Sequence, residues 1–148
     1  MLAREFGLQK YTGEGMKVLV VDDSEILQDK LKLMLSSIAY IDIIGSAKDE
    51  SEAIEQVNTL LPDVVILDLN LKTGSGVIVL RHTKKYHPEI KVMILTNHAN
   101  DFYARACKNF HADRFLDKSF QFMEIPEILL SWLPPMQPHS GELKNAGQ

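Results

Sequence analysis

Runs of four consecutive apolar residues recur in this chain at Val18–Val21, Val64–Leu67 and Val92–Leu95, and each leads straight into a polar residue: Asp22, Asp68 and Thr96. Continuous apolar runs rich in β-branched residues read as strands buried on both faces. Strands of that kind belong to parallel sheets, because helical crossovers then cover both sides. Two weaker strands complete the set. Ile41–Ile44 alternates and is expected at a sheet edge, ended by Gly45, Ser46 and Ala47. Arg114–Asp117 is short.

Helical spacing fills the intervals. From Ser24, a natural N-cap, Leu27, Leu31, Met34, Leu35 and Ile38 form one stripe. Ala53, Ile54, Val57, Leu60 and Leu61 form another over about 51–61, stopped by Pro62. A third helix runs from about Ser75 to Tyr86, before Pro88, and a fourth from about Asp101 to Phe110. His111 follows, where a C-terminal cap usually prefers Gly. A fifth carries Ile125, Ile128, Leu129, Trp132 and Leu133, with Pro126 in its first turn. The βαβαβαβαβα pattern predicts an α/β fold. It is a flavodoxin-like, doubly wound five-stranded parallel sheet of order 2-1-3-4-5, with helices on both faces.

The 148 residues suit one domain with a sizeable core, expected over 16–133. Residues 1–15 read as a flexible arm without the apolar centre of a signal peptide. Residues 134–148, with three prolines and two glycines, read as a disordered tail. The net charge of -4 gives no electrostatic footprint for direct nucleic-acid binding. No apolar run approaches the roughly 20 residues of a membrane span. The single cysteine, Cys107, excludes an internal disulfide and is expected as a small buried side chain, which fits a reduced, cytoplasmic setting.

In that strand order the first and third strands lie side by side, and Asp22, Asp23 and Asp68 converge at the carboxyl edge of the sheet. Two like charges about 4 Å apart repel by roughly 4 kcal/mol at an effective dielectric near 20. A divalent cation removes that cost, and a set of hard oxygens suits Mg²⁺ rather than zinc. Thr96 and Lys118 end the fourth and fifth strands at the same edge. Their hydroxyl and ammonium suit phosphoryl oxygens. A carboxylate beside Mg²⁺ and a lysine can attack phosphorus and form an aspartyl phosphate.

VLVVDDS, ILDLNLKTGSG, ILT and FLDKS, in that order, resemble the receiver domain of two-component response regulators, over roughly Met16 to Leu133. The resemblance implies that Asp68 is the phosphoacceptor. It implies that Asp22, Asp23, Asp68 and the backbone carbonyl of Asn70 hold Mg²⁺. Thr96 matches the switch hydroxyl, Lys118 the lysine that contacts the phosphoryl group, and Phe115 the aromatic whose rotamer reports activation. Asn70 and His98 flank the path of the attacking water. The partners so implied are a histidine kinase or histidine phosphotransfer protein upstream and a protein target downstream. They act on a monomer or a phosphorylation-dependent homodimer, through the face of the fourth helix, fifth strand and fifth helix. Three positions depart from the family pattern. Lys72 stands for a usual Pro after the acceptor, Ser119 for the Pro that commonly follows the lysine, and His111 for a frequent Gly.

Rival chemistries fit less well. A phosphatase of the haloacid dehalogenase type resembles Asp-x-Asp-x-Thr after its first strand, and here Asp68 lies after the third with Asn70 two residues on. A flavodoxin needs a Ser/Thr/Gly phosphate loop where Asp22-Asp23 stands. A phosphate-independent pseudo-receiver has no need of the five reacting side chains. No helix-turn-helix, catalytic domain or basic stretch follows Leu133, so a stand-alone switch is expected, with a fragment of a longer DNA-binding regulator as the alternative.

Overall fold

A computed structural model of the chain describes residues 15–97 and 99–134. The expected arm over 1–15 and tail over 134–148 therefore lie almost wholly outside the described residues, as does His98. Strands β1 (Met16–Val21), β2 (Ile41–Ala47), β3 (Val64–Leu67), β4 (Lys91–Thr96) and β5 (Arg114–Asp117) alternate with five helices. These are α1 (Glu25–Ser36), α2 (Glu50–Leu60), α3 (Gly76–Tyr86), α4 (Asp101–Asn109) and α5 (Ile125–Ser131), the last preceded by a 3₁₀ turn, Phe122–Glu124. All strand pairs are parallel, in the order β2-β1-β3-β4-β5.

The strand period of two sends alternate residues to opposite faces. Val18, Val20, Val64, Ile66, Met93, Leu95 and Leu116 pack with Leu31, Leu35, Ile125 and Leu129 of α1 and α5. Leu19, Val21, Val65, Leu67, Val92 and Ile94 pack on the other face with Ala53, Val57, Val79, Leu80 and Cys107 of α2, α3 and α4. Helices therefore cover both faces, and the runs Val18–Val21, Val64–Leu67 and Val92–Leu95 of the three central strands are apolar because neither face meets water there.

Four helices start on side-chain caps. Ser24 Oγ accepts from Leu27 N, Asp49 Oδ1 from Glu52 N, Ser75 Oγ from Val77 N and Asn100 Oδ1 from Tyr103 N. Each replaces an amide partner that the first turn lacks, and two of these caps, at α1 and α3, stand in the loops that follow Asp23 and Asp68.

Three element boundaries differ from those the sequence suggests, and the first is α1, which stops at Ser36, so Ile38 of the expected stripe lies beyond it. Strand β2 does not end at Ile44 but continues through Gly45 and Ser46 to Ala47. A bulge opposite Val18 and Leu19 skips Ile44 and restores the ladder, with Leu19 paired to Gly45. Helix α5 stops at Ser131, so Trp132 and Leu133 follow it, and Trp132 stacks its ring against the Lys91 ammonium at 5.5 Å.

Candidate functional site

Asp22 and Asp68 follow β1 and β3 directly, and the ladders fix both backbones. Asp22 N donates to Ala47 O at 2.9 Å, and Asp68 N donates to Val21 O at 2.9 Å. Both residues are buried and Asp23 is half-buried. One carboxylate oxygen from each of Asp22, Asp23 and Asp68 lies within 4.8 Å of the others. Lys118 reaches in from the end of β5, and its Nζ stands 2.7 Å from Asp22 Oδ2 and 3.0 Å from Asp68 Oδ2. Its own backbone is anchored by donation of Lys118 N to Thr96 O at 3.0 Å. Thr96, fully buried, pairs in register with Asp117 at the same edge.

Three of the remaining four carboxylate oxygens are held by backbone amides. Ser24 N donates to Asp22 Oδ1 at 2.8 Å, Asn70 N to Asp68 Oδ1 at 3.1 Å and Lys72 N to Asp23 Oδ2 at 3.0 Å. Asn70, two residues after Asp68, is exposed, and Phe115 is half-buried on β5 against the α2/α3 side of the core.

Burial pushes the Asp22 carboxyl up from its ordinary value, and the nearby Asp68 charge adds to this; the Lys118 and Ser24 bonds offset only part of it. For Lys118, burial disfavours the ammonium, but hydrogen bonds to Asp22 and Asp68 and their charges outweigh it and hold its pKa above the ordinary lysine value. One ammonium faces three carboxylates. Two negative charges are left without a partner among the described side chains, and the donors are hard oxygens only. That set fits a divalent cation such as Mg²⁺, and Asp22, Asp23 and Asp68 are the residues able to hold it.

Several supporting residues bear no recognisable motif. Gln28, buried on α1, donates from Nε2 to Asp22 O at 2.6 Å and to Ala47 O at 3.3 Å, so it ties together the ends of β1 and β2. Its signal is a polar residue on the buried stripe between Leu27 and Leu31. Glu50 accepts from Ser75 N at 2.9 Å while its own amide donates to Thr73 O at 3.2 Å, which docks the loop after Asp68 on α2. Asp117 Oδ1 accepts from Ser119 N at 2.7 Å and Phe120 N at 3.1 Å and shapes the turn that carries Lys118.

Comparison with known proteins agrees with this geometry. The family model of the response regulator receiver domain matches residues 18–130. The chain is 32% identical over 114 residues to response regulator protein VraR of Staphylococcus saprophyticus, covering 77% of this chain and 54% of that protein. It is 40% identical over 88 residues to a protein-glutamate methylesterase/protein-glutamine glutaminase of Vibrio vulnificus, covering 58% of this chain and 26% of that one. The chain thus spans about half the length of the first relative and about a quarter of the second. The response regulator domain of Thermotoga maritima CheB superposes with a TM-score of 0.71 at 27% identity, covering 80% of this chain and 93% of that domain.

Proposed function

The chain belongs to the receiver domain family of two-component response regulators, and from that premise we propose that it is a phosphorylation-dependent switch with Asp68 as phosphoacceptor. The observation that carries this reading is the Lys118 ammonium spanning Asp22 Oδ2 and Asp68 Oδ2 beside a third carboxylate, Asp23.

A carboxylate oxygen of Asp68 attacks phosphorus of a phosphohistidine on a histidine kinase or histidine phosphotransfer protein. The P–O bond to Asp68 forms as the P–N bond breaks, and the imidazole, protonated on its other nitrogen, leaves neutral. Asp22, Asp23, Asp68 and the Asn70 carbonyl would hold Mg²⁺, which when bound would supply neutralising charge to the phosphoryl oxygens. Lys118 stabilises the charge on the same group, and the Asn70 amide keeps the Asp68 carboxylate oriented. The product carries nearly two added negative charges at a buried edge. Thr96 turns its hydroxyl to that group and Phe115 turns inward. The face of α4, β5 and α5 then favours a second arrangement, to the extent that phosphorylation favours it. Phe102 and Tyr103 stand exposed on α4 of that face.

Catalysis is limited to self-phosphorylation and slow autodephosphorylation. The output is a protein target, met by a monomer or a phosphorylation-dependent homodimer in the cytoplasm, without direct contact to nucleic acid or membrane. Among the described residues no helix is long and apolar enough to cross a membrane. A second reading, the receiver of a longer DNA-binding regulator, is favoured by one observation: the regulator matched over 114 residues is nearly twice as long as the part aligned. The mass of the protein in its native host separates the two.

Intact mass after incubation with acetyl phosphate and Mg²⁺ tests the central claim. Wild type is expected to gain one phosphoryl group, and neither Asp68→Ala nor a metal-free control is expected to do so. An equal gain in Asp68→Ala overturns the acceptor assignment. A failure to accept from both acetyl phosphate and a phosphorylated kinase would favour a phosphate-independent binding module.

A further inference from the structure

At the opposite end of α3 from the acidic site, two imidazoles converge on one oxygen. His82 Nε2 stands 3.0 Å and His87 Nε2 2.9 Å from Asn58 Oδ1. His82 lies in the last turns of α3 and His87 is its C-cap, where the chain leaves the helix and turns the second ring back toward the first. Their ring centroids are 6.4 Å apart. Asn58 projects from the last turn of α2, so the cluster joins the C-terminal ends of two neighbouring helices.

We propose that His82, His87 and Asn58 form a second cation site, one for a divalent transition metal such as Zn²⁺. The two nitrogen–oxygen distances, which serve as hydrogen bonds here, are also compatible with a coordination shell. Ligands about 2.1 Å from a metal lie about 3.0 Å apart along an octahedral edge and about 3.4 Å along a tetrahedral one. The two nitrogen–oxygen edges are already close to that range, and Asn58 Oδ1 is the shared corner. To ligate, each ring carries its single proton on Nδ1 rather than Nε2, and the Nε2 lone pair takes the metal. Burial, and then the neighbouring His87, hold the His82 pKa below its ordinary value.

The surrounding charge does not forbid a cation. Lys84 is paired with Asp113 at 2.8 Å, and the carboxyl end of α3 carries the negative end of its dipole. Lys85 and Arg81 are exposed on the same helix, with their cations against the Tyr86 and Phe110 rings. Ligand chemistry keeps the two sites distinct: oxygens at the sheet edge suit Mg²⁺, and imidazoles suit zinc, nickel or copper. Helix α3 is 11 residues long, which puts roughly 16 Å between them. A metal here would tie α2 to α3 and brace the helix whose other end abuts the acceptor loop. The proposal does not depend on the phosphoacceptor reading.

The test is a Zn²⁺ titration of the full chain in saturating Mg²⁺, followed by imidazole ¹H–¹⁵N spectra assigned through single His→Gln variants. The His82 and His87 Nε2 resonances are expected to shift together and saturate at one equivalent. His82→Gln/His87→Gln is expected to weaken that binding at least about tenfold, Asn58→Ala less, and Asp68→Ala not at all. If Zn²⁺ moves only the resonances of His98, His111 or His139, or only those around Asp22, Asp23 and Asp68, the site does not exist. Nε2–H signals of His82 and His87 that persist unchanged in wild type overturn it equally, whatever the variants do.

Discussion

A methyl group on Gly76 would overlap the carbonyl oxygen of Asp68 and stand 2.6 Å from Leu69 Cα. The atoms in the way are backbone, and they belong to Asp68, the proposed phosphoacceptor, and to Leu69. Gly76 N also donates to Leu69 O at 3.0 Å, so the start of α3 is clamped on the loop. Gly76→Ala is therefore expected to displace Asp68 and cost about 2–3 kcal/mol by overpacking. Its phosphorylation by acetyl phosphate should fall with it. At Gly45 the nearest atoms are side-chain ends, Gln56 Oε1 and Leu60 Cδ1, which can swing away. Gly45→Ala should lose less stability and keep phosphoryl acceptance. Urea unfolding and intact mass on both variants check the contrast; equal loss in the two would show that close approach to Asp68 is not what Gly76 provides.

His111 follows the C-cap of α4 with φ of 70°, in the left-handed region. His111 N donates to Lys108 O and Ala112 N to Cys107 O, both at 2.9 Å, the paired bonds of a Schellman ending. The conformation costs an L-residue about 1–2 kcal/mol. His111→Gly relieves that strain and gives back part as unfolded-state entropy, for a net gain of about 0.5–1 kcal/mol. His111→Ala keeps the strain and should gain nothing. The urea midpoints of the three proteins decide it, and a Gly variant no more stable than wild type would mean that the His111 ring makes up the difference.

The fold was legible because strand burial and helix amphipathicity are local patterns, and parallel β-α units leave few topologies. The convergence of Asp22, Asp23, Asp68 and Lys118 follows from that order, since each ends a strand at one edge. What stayed hidden depends on backbone hydrogen bonds that side-chain identity does not announce. The bulge that lets β2 run on to Ala47 is one case. The departures at Lys72 and Ser119 are others: each supplies an N–H, to Asp23 Oδ2 and Asp117 Oδ1, that proline lacks. Gln28 and Glu50 were similarly opaque, because the groups they hold are the main chain of loops distant in sequence.

Asp22 carries a pH dependence of definite sign. Its folded pKa is raised, chiefly by burial, so its contribution to stability is fully present below the ordinary value of 3.8 and is lost as pH rises through the raised one. At neutral pH without divalent cations the ionised carboxylate is a net cost, even with Lys118 beside it. Asp22→Asn keeps an Oδ1 acceptor for Ser24 N and removes the charge. In EDTA at pH 7 the variant is expected to be more stable than wild type by about 1 kcal/mol, or about 4 °C in Tm. The gap should close as the pH falls toward 3.8. Mg²⁺ should reverse the order, because a ligand stabilises whichever native state it binds more tightly and the variant has lost one carboxylate. Thermal unfolding of both proteins across that pH range, with EDTA and with Mg²⁺, measures all three effects. A variant less stable than wild type in EDTA at pH 7 would show that the Asp22–Lys118 pair outweighs the burial of the carboxylate.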